Sequence, residues 1–297
     1  MKGSVVTVGT FDGVHRGHDH LIKKLILTAR EHNMESVLVT LDAPVRKVQG
    51  LLTTAAEKEE ILRSYGMNKI IFLPNSSQTT KQTAFDFFAK FIRTKLNAEY
   101  FIAGENFAFG FGREGNTEWL KNAGLAAGVK TLVVSHVCSK GSIISSTRIR
   151  ELIAGNKVAD ANKLLGRFYS IDGRHCRGRG VGTKMGYPTI NLEIAPEKLL
   201  PQGVMAAWVS DGKDSYPSVI NIGVRPTFFS NSSVSLEAYL LGYAGEWKHS
   251  DVTVYLAGYI RPEKRYKSMA ALKSRISKDV AEAKKYFGDF AAKARRF

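Results

Sequence analysis

The chain contains little of what marks a secreted, membrane or fibrous protein. Only two cysteines occur among 297 residues, Cys138 and Cys176, and their spacing fits neither a disulfide framework nor a metal site. No run approaches the roughly 20 apolar residues of a membrane-spanning helix, so we expect no membrane partner. The segment Met1–Ser4 passes directly into a strand-like pattern, and we expect no signal peptide. These absences favour a reduced, cytoplasmic enzyme.

Acidic residues are also scarce, since 27 of them stand against 43 lysines and arginines, for a formal net charge of +16. A nucleic-acid-binding protein is one explanation of this excess. However, basic residues cluster only in Arg174–Lys184 and in the tail Lys293–Phe297, and aromatic residues do not alternate with them. We therefore favour small substrates that carry phosphates, and keep nucleic-acid binding as the remote alternative.

The hydrophobic pattern changes after residue 165, which predicts an α/β protein of two domains, residues 1–165 and 166–297. In the first, apolar runs alternate with amphipathic ones, which predicts a doubly wound parallel sheet. Its predicted strands are Ser4–Val8, Ser36–Leu41, Lys69–Leu73, Tyr100–Ala103 and Thr131–Ser135, and its predicted helices are Asp19–His32, Ala55–Tyr65, Ala84–Leu96, Thr117–Ala126 and Ile149–Ala154.

After Leu165, short β-rich segments separated by Gly, Pro and Asn predict a small antiparallel β-barrel with a C-terminal helix. The predicted strands are Phe168–Asp172, Thr189–Ile194, Val204–Val209, Ser218–Ile222, Val234–Leu241 and Asp251–Tyr259. The helix, Met269–Tyr286, carries an apolar stripe that we expect to pack in the core: Met269, Leu272, Ile276, Val280 and Ala283.

The most specific motif is Gly9-Thr-Phe-Asp-Gly-Val-His-Arg-Gly-His18, which lies between the first strand and the first helix. A strand, a glycine-bearing turn and a helix start present backbone N–H groups and a positive dipole end to a phosphate. His15 and His18 add side-chain donors, as in the HxGH signature of nucleotidyltransferases, which this motif resembles. We expect His15 and His18 to be catalytic, and the nucleotide to be bound by Gly9, Phe11, Asp12 and Gly17. The alternatives are a helix-capping turn or two ligands of a zinc site, although no third ligand stands nearby.

Two further segments fall at the same predicted sheet edge. Ser145-Ser-Thr-Arg-Ile-Arg150 opens a helix, so Ser146 and Thr147 would bind nucleotide and Arg148 would hold a phosphate; the alternative is a capping box with Glu151. Gly104–Gly112 follows a strand, and there Asn106 would bind a ribose or a base. Phe107 and Phe109 are expected in the core rather than as stacking platforms.

The second half offers a glycine-rich basic loop that is not a Walker sequence. Gly178, Gly182, Lys184 and Gly186 would wrap a polyphosphate through main-chain donors. Thr189 and Asn191 alternate onto one face of a strand and offer two neutral oxygens to hydrated Mg²⁺. Glu237 lies in an otherwise apolar strand and is either solvent-facing or a positioned base.

Together these residues resemble the bacterial bifunctional riboflavin kinase/FMN adenylyltransferase family. The resemblance is collinear over residues 4–287 and rests on seven segments: His15–His18, Leu51–Thr54, Gly104–Gly110, Ser145–Arg150, Pro188–Asn191, Asn221–Phe228 and Glu237. It implies that the barrel domain phosphorylates riboflavin to FMN with Mg²⁺–ATP, with Glu237 as base. It also implies that the N-terminal domain adenylylates FMN to FAD and releases pyrophosphate. FMN and FAD are then substrate and product rather than a resident cofactor.

The chain departs from the family pattern in two loops, Leu41–Arg46 and Tyr243–Ser250. The first lacks the family's Phe-x-Pro-His-Pro histidine, and the second replaces an Asp-x-Tyr-Gly turn. The kinase loop also has Thr183 in place of a common arginine, and Ile190 in place of a small residue. One alternative is therefore that a single activity is retained, with the other half a flavin-binding or docking module. The sequence leaves the oligomeric state open.

Overall fold

The structure is a computed structural model and describes residues 2–42, 44, 48–178, 180–224 and 234–287. The chain forms two compact units, Met1–Ser146 and Thr147–Phe297. Within the described residues, no helix is long and apolar enough to cross a membrane. Parts of the segments singled out in the sequence lie outside the described residues: Ala43, Val45–Lys47, Arg179, the side chain of Lys184, Arg225–Phe228 and the tail.

The first unit is a five-stranded parallel sheet, as predicted. Its strands are β1 (Ser4–Gly9), β2 (Glu35–Leu41), β3 (Lys69–Leu73), β4 (Ala98–Gly104) and β5 (Lys130–Val134), in the order β3-β2-β1-β4-β5. The helices are α1 (Arg16–Glu31), α2 (Ala55–Arg63), α3 (Ala84–Asp86, continuing as a π-helix over Phe87–Lys95) and α4 (Thr117–Ala127); α5 (Ser146–Ala154) begins at the unit's last residue. The chain order reverses between β1 and β4, where ligands bind in sheets of this kind.

Helices cover both faces of this sheet, because successive strand residues point to opposite sides. Val5, Leu38 and Ile102 are buried in one cluster with α1 and α2. Val6 and Phe101 belong to a second cluster with the π-helix and α4. Burial of each such side chain contributes about 1.5–3 kcal/mol, so the doubly wound arrangement follows from the alternation itself.

The second unit holds the remainder of α5 and then α6 (Val158–Leu165), followed by a closed antiparallel barrel, also as predicted. The strands are β6 (Tyr169–Cys176), β7 (Thr189–Ile194), β8 (Gly203–Ser210), β9 (Ser215–Val224), β10 (Val234–Leu240) and β11 (Asp251–Arg261), in the order β6-β7-β10-β9-β8-β11. Helix α7 (Met269–Phe287) follows. Short elements are the helices Ser77–Thr80 and Val181–Lys184, the 3₁₀ turn Phe111–Arg113, and the strand pairs Ala108–Phe109 with Gly115–Asn116 and Cys138–Ser139 with Ser142–Ile143.

Three helices differ from the sequence-based expectation. The segment predicted as one α-helix from Ala84 is mostly π-helical; for example, the Leu96 N–H donates to the Phe91 carbonyl five residues earlier. The burial of aromatic residues on one side does not distinguish these two helical pitches. Helix α5 begins three residues before Ile149, and α6 was not predicted, although Val158–Leu165 buries its residues at helical spacing.

The expected core stripe of α7 is only partly correct. Ala283 is buried and Val280 packs against the barrel core, together with Phe287. Met269, in contrast, is 52% exposed. The first turn of α7 therefore contributes nothing to the core, and the apolar stripe begins further along the helix than its sequence period indicates.

A buried ion-pair cluster fixes α7 to the end of β11, and its loss should destabilise the second unit. The Arg261 guanidinium donates to both Asp279 carboxylate oxygens at 2.7–3.1 Å, and Arg275 also contacts Asp279, whose side chain is 2% exposed. Asp279→Ala leaves Arg261 unpaired, so we expect a loss of about 3 kcal/mol, measured as a lower urea midpoint by tryptophan fluorescence. Glu282→Ala, which removes an exposed partner 4.0 Å from Arg275, is the control and should change stability by less than about 1 kcal/mol. Equal effects of the two substitutions would contradict this account.

Two candidate nucleotide sites

The turn between β1 and α1 has an unusual backbone. Phe11 has a φ of 48° and Val14 a φ of 35°, with Gly13 at 78° between them. Positive φ values at a bulky and a β-branched residue are strained, and such strain concentrates at functional sites. The Phe11 ring is buried and packs on Gly9, where an added Cβ would come within 3.0 Å of the ring. Gly9 and Phe11 thus shape the turn at the carboxyl end of β1.

His15 is the N-cap of α1 and organises the first turn of that helix. Its Nδ1 accepts from the Gly17 N–H at 3.1 Å and the His18 N–H at 3.4 Å. Because two N–H groups point at Nδ1, the ring proton belongs on Nε2, which makes Nε2 a donor. The rings of His15 and His18 stack with centroids 3.7 Å apart. Gly17 has no Cβ, and one would lie 3.1 Å from the His15 ring. The helix-capping turn named as an alternative and the two adjacent imidazoles of the main expectation are therefore present together.

The Asp12 carboxylate holds this turn against the segment before α2. It accepts from the Leu52 N–H at 3.2 Å, and from the Thr53 N–H and hydroxyl at 3.0 and 3.2 Å. The Gly13 N–H in turn donates to the Thr53 hydroxyl at 3.0 Å. Asp12 is only 3% exposed, so its side chain is placed to shape the turn. The motif Leu51–Thr54 therefore has a structural role, because its hydrogen bonds with Asp12 and Gly13 hold the turn in place.

The other predicted residues of this edge lie at strand and helix ends. Asn106 is exposed two residues beyond β4, while Phe107 and Phe109 pack against the core, as expected. The Ser146 hydroxyl donates to the Asp12 carbonyl at 2.8 Å, which connects the start of α5 to the same turn. Thr147 is exposed and Arg148 half-buried in the first turn of α5.

Sequence reasoning missed a contact between the ends of β4 and β5. The Glu105 carboxylate accepts from the His136 N–H at 3.1 Å and also contacts the His136 ring. These hydrogen bonds from His136 lower the pKa of Glu105 below its usual value. The sequence signal was present, since Glu105 directly follows β4 and His136 is the second residue after β5 of the same parallel sheet.

The barrel aligns three polar residues across three neighbouring strands. Asn191 on β7 pairs in register with Glu237 on β10, which pairs with Asn221 on β9. Residues in register point to the same face, with Cβ atoms about 5 Å apart. Their neighbours Leu236 and Ala238 are fully buried, so the polar residues occupy the outer face, where Glu237 is half-buried. Asn221 was not predicted as a site residue, although it lies in a recognised segment.

The glycine-rich loop lies against this face. A Cβ on Gly178 would come within 2.1 Å of the Asn191 amide, and one on Gly182 within 3.3 Å of the Thr189 hydroxyl. Asn191 is consequently buried to 6% exposure. Gly186 has a φ of 85° and ends the short helix within the loop. Glycine is thus required where the loop backbone meets the residues expected to hold Mg²⁺.

The segment Tyr243–Ser250, which differs from the family pattern, forms an aromatic cluster. Trp247 is buried and packs edge-on against Tyr216, with ring centroids 5.7 Å apart, and Tyr243 contacts both rings. His249 contacts the Trp247 ring and pairs with Asp211 at 3.3 Å. This replacement segment is therefore packed against the barrel by its own side chains.

Similarity to known proteins follows the same division of the chain. A family model described as FAD synthetase matches residues 1–148, and one described as riboflavin kinase matches residues 165–287. A bifunctional riboflavin kinase/FMN adenylyltransferase of Buchnera aphidicola subsp. Schizaphis graminum is 34% identical over 295 residues, covering 96% of this chain and 95% of that protein. The protein of the same name from Escherichia coli K12 is 33% identical over 296 residues, covering 97% and 94%.

A crystal structure described as a macrolide-efflux protein from Streptococcus pneumoniae has the same fold, with a TM-score of 0.87 at 28% identity. The alignment covers 95% of this chain and 94% of that one. Its name differs from those of the relatives above, and the likeness supports the fold. Since both halves match a family model and two relatives above 30% identity align over nearly their whole length, the chain belongs to the bifunctional riboflavin kinase/FMN adenylyltransferase family.

Proposed function

We propose that the chain makes FAD from riboflavin in two ATP-dependent steps, each at its own site. The observation that carries this proposal is a polar site within each of the two family-matched segments: the His15–His18 turn in the first and the Asn191–Glu237 pair in the second. We assign FMN adenylylation to residues 1–165 and riboflavin phosphorylation to residues 166–297. Two matched halves favour two activities over a single retained one.

In the first reaction, the 5′-hydroxyl oxygen of riboflavin attacks the γ-phosphorus of ATP. The bond from that phosphorus to the β,γ-bridging oxygen breaks, ADP leaves, and Glu237 accepts the hydroxyl proton to give FMN. The backbone of the loop with Gly178, Gly182 and Gly186, and the Lys184 amine, would bind the phosphates. Such transfers need mainly positioning and neutralisation of charge, which agrees with a site that uses Glu237 as its base and no covalent nucleophile.

Thr189 and Asn191 fit a Mg²⁺ ion that arrives with ATP. They offer oxygen donors, the ligand type that Mg²⁺ prefers, and Glu237 stands beside Asn191 in register. Among the described residues there is no cluster of three acidic, histidine or cysteine side chains, which agrees with a metal held largely by phosphates and water. When bound, the ion would neutralise charge on the transferred phosphoryl group.

In the second reaction, an FMN phosphate oxygen attacks the α-phosphorus of another ATP. The bond to the α,β-bridging oxygen breaks, pyrophosphate leaves, and FAD forms. His15, through its Nε2–H, and His18 would stabilise charge on the triphosphate, next to the N–H groups of the α1 N-terminus. Ser146, Thr147 and Arg148 would hold the departing phosphates, and Asn106 the nucleoside.

We further propose that the chain acts in the cytoplasm and that its partners are ATP, riboflavin and FMN. Cys138 and Cys176 are free, which agrees with a reducing compartment. The net charge of +16 suits anionic substrates. Tight, saturable binding of nucleic acid at near-physiological salt would instead support the remote alternative.

Two substitutions should separate the activities. His18→Ala removes an imidazole from the first site, so FAD formation from FMN should fall about 100-fold while riboflavin is still converted to FMN. Glu237→Ala removes the base and should have the reverse effect, again by about 100-fold. A chromatogram of flavin products from riboflavin or FMN with Mg²⁺–ATP measures both. If each variant retained both activities, the residue assignments would be wrong; if the wild-type chain made neither product, the proposed function itself would fall.

The Mg²⁺ assignment predicts a metal-dependent defect. Asn191→Ala should raise the Mg²⁺ concentration for half-maximal FMN formation by about tenfold or more, because a ligand oxygen is lost. Adenylylation of supplied FMN should keep its Mg²⁺ dependence. Ser235→Ala deletes a polar group two residues from Glu237 and serves as the control. An unchanged Mg²⁺ requirement in Asn191→Ala would remove this residue from the metal site.

A further inference from the structure

Lys58 on α2 is buried in the first unit with only 2% of its surface exposed. A lysine is almost never buried so completely without partners. Its ammonium group donates to the backbone carbonyls of Thr10 at 3.2 Å, of Leu41, and of Asp42 at 3.5 Å. An ammonium has three N–H donors, so this side chain is fully used by three main-chain acceptors.

These acceptors mark the carboxyl ends of two neighbouring strands. Thr10 directly follows β1 and opens the turn to His15, while Leu41 ends β2 and Asp42 directly follows it. The Thr10 carbonyl also accepts from the Thr40 hydroxyl at 3.0 Å, a second connection between the same strand ends. Lys58 therefore holds the start of the histidine turn against the end of β2.

The charges around Lys58 show that it is bound as a cation. Asp12 from the turn and Asp42 from the end of β2 face it, and β3 contributes the Phe72 ring, 5.7 Å from the ammonium. Burial lowers the pKa of Lys58 to about 8, against the opposing effect of these two aspartates. The side chain is thus charged below pH 8 and loses its charge as the pH rises through that value.

Thr53, Thr54 and Glu57 complete the support from the same segment. Thr53 binds Asp12, while Thr54 and Glu57 form a reciprocal capping box that fixes the first turn of α2. Lys58 lies one residue beyond that capping box, so the box fixes the position of its backbone. A rigid helix start with a buried cation is suited to holding a strained turn.

We propose that Lys58 is a positioning residue for adenylyl transfer: its ammonium group fixes the turn that carries His15 and His18. The inference rests on the proposed function, because it concerns the site assigned there to FAD formation. Lys58 acts through the main chain of Thr10 and does not need to touch substrate.

Lys58→Met tests the inference, since it keeps the unbranched apolar stem and removes the three donors. We expect the kcat of FAD formation from FMN and ATP to fall about 10- to 100-fold, because small displacements of catalytic groups have effects of this size. Riboflavin phosphorylation by the same polypeptide should be unchanged, which controls for the amount of polypeptide with an intact second unit. Lys90→Met, at an exposed lysine paired with Asp86, is the matched control and should leave both activities unchanged.

A pH profile separates positioning from mere packing. In the wild-type protein, FAD formation should decline as the pH rises through about 8, where the charge on Lys58 is lost, while kinase activity should show no such decline. The decline should be absent from the residual activity of Lys58→Met. If that variant is poorly folded, Lys58→Arg replaces it: the charge then no longer titrates in this range, so the decline should again disappear.

A wild-type profile without this decline, or Lys58→Met with the wild-type rate, would overturn the inference alone. A decline that persists in both Lys58 variants would also overturn it. Failure of the wild-type protein to form any FAD would overturn the proposed function, and the inference with it.

Discussion

The first site depends on the attachment of a strained turn to the segment before and within α2. Phe11 and Val14 occupy backbone conformations that a free chain avoids, so the turn needs external support. Two side chains of opposite charge provide this support. The Asp12 carboxylate accepts from the Leu52 and Thr53 N–H groups, and the Lys58 ammonium donates to the Thr10 carbonyl. Because all these groups are buried, their hydrogen bonds are shielded from water, and each partner left alone would be unfavourable. The imidazoles of His15 and His18 take their positions from this support.

The two sites are built in different ways, and each follows from its sheet type. In a parallel sheet all carboxyl ends lie at one edge, so loops after several strands converge there, and backbone groups and helix starts can form an anion site. In the closed barrel there is no such edge, and the site is built on a face by cross-strand register. Asn191, Glu237 and Asn221 meet there because three strands pair in step. The glycine loop then covers the face, since glycine alone allows its backbone to approach Asn191 and Thr189 so closely.

Local pattern predicted most of the architecture. Period-two alternation and apolar runs gave the strands of both sheets, and the histidine motif lies at the turn where its strand and helix signals indicated. The failures concern properties that neighbours decide. The π-helical turns after Ala84 bury Phe88 and Ile92, a spacing that also fits an α-helix, and α7 leaves Met269 exposed because the barrel core ends before it. The sequence did not single out Lys58, Glu105 or His136, because an isolated charged residue after a strand or on a helix is normally solvated.

The sequence by itself determined the class of each half, the order of its elements, and the residue types available for phosphate chemistry. Those properties depend on local periodicity and on motifs that are contiguous in the chain. Only the tertiary structure decided that Asp12 faces Thr53, that Lys58 holds the ends of β1 and β2, and that Asn221 stands beside Glu237. Such pairs are separated by 16 to 48 residues, and they form because parallel crossovers and antiparallel strand pairing bring distant backbone together.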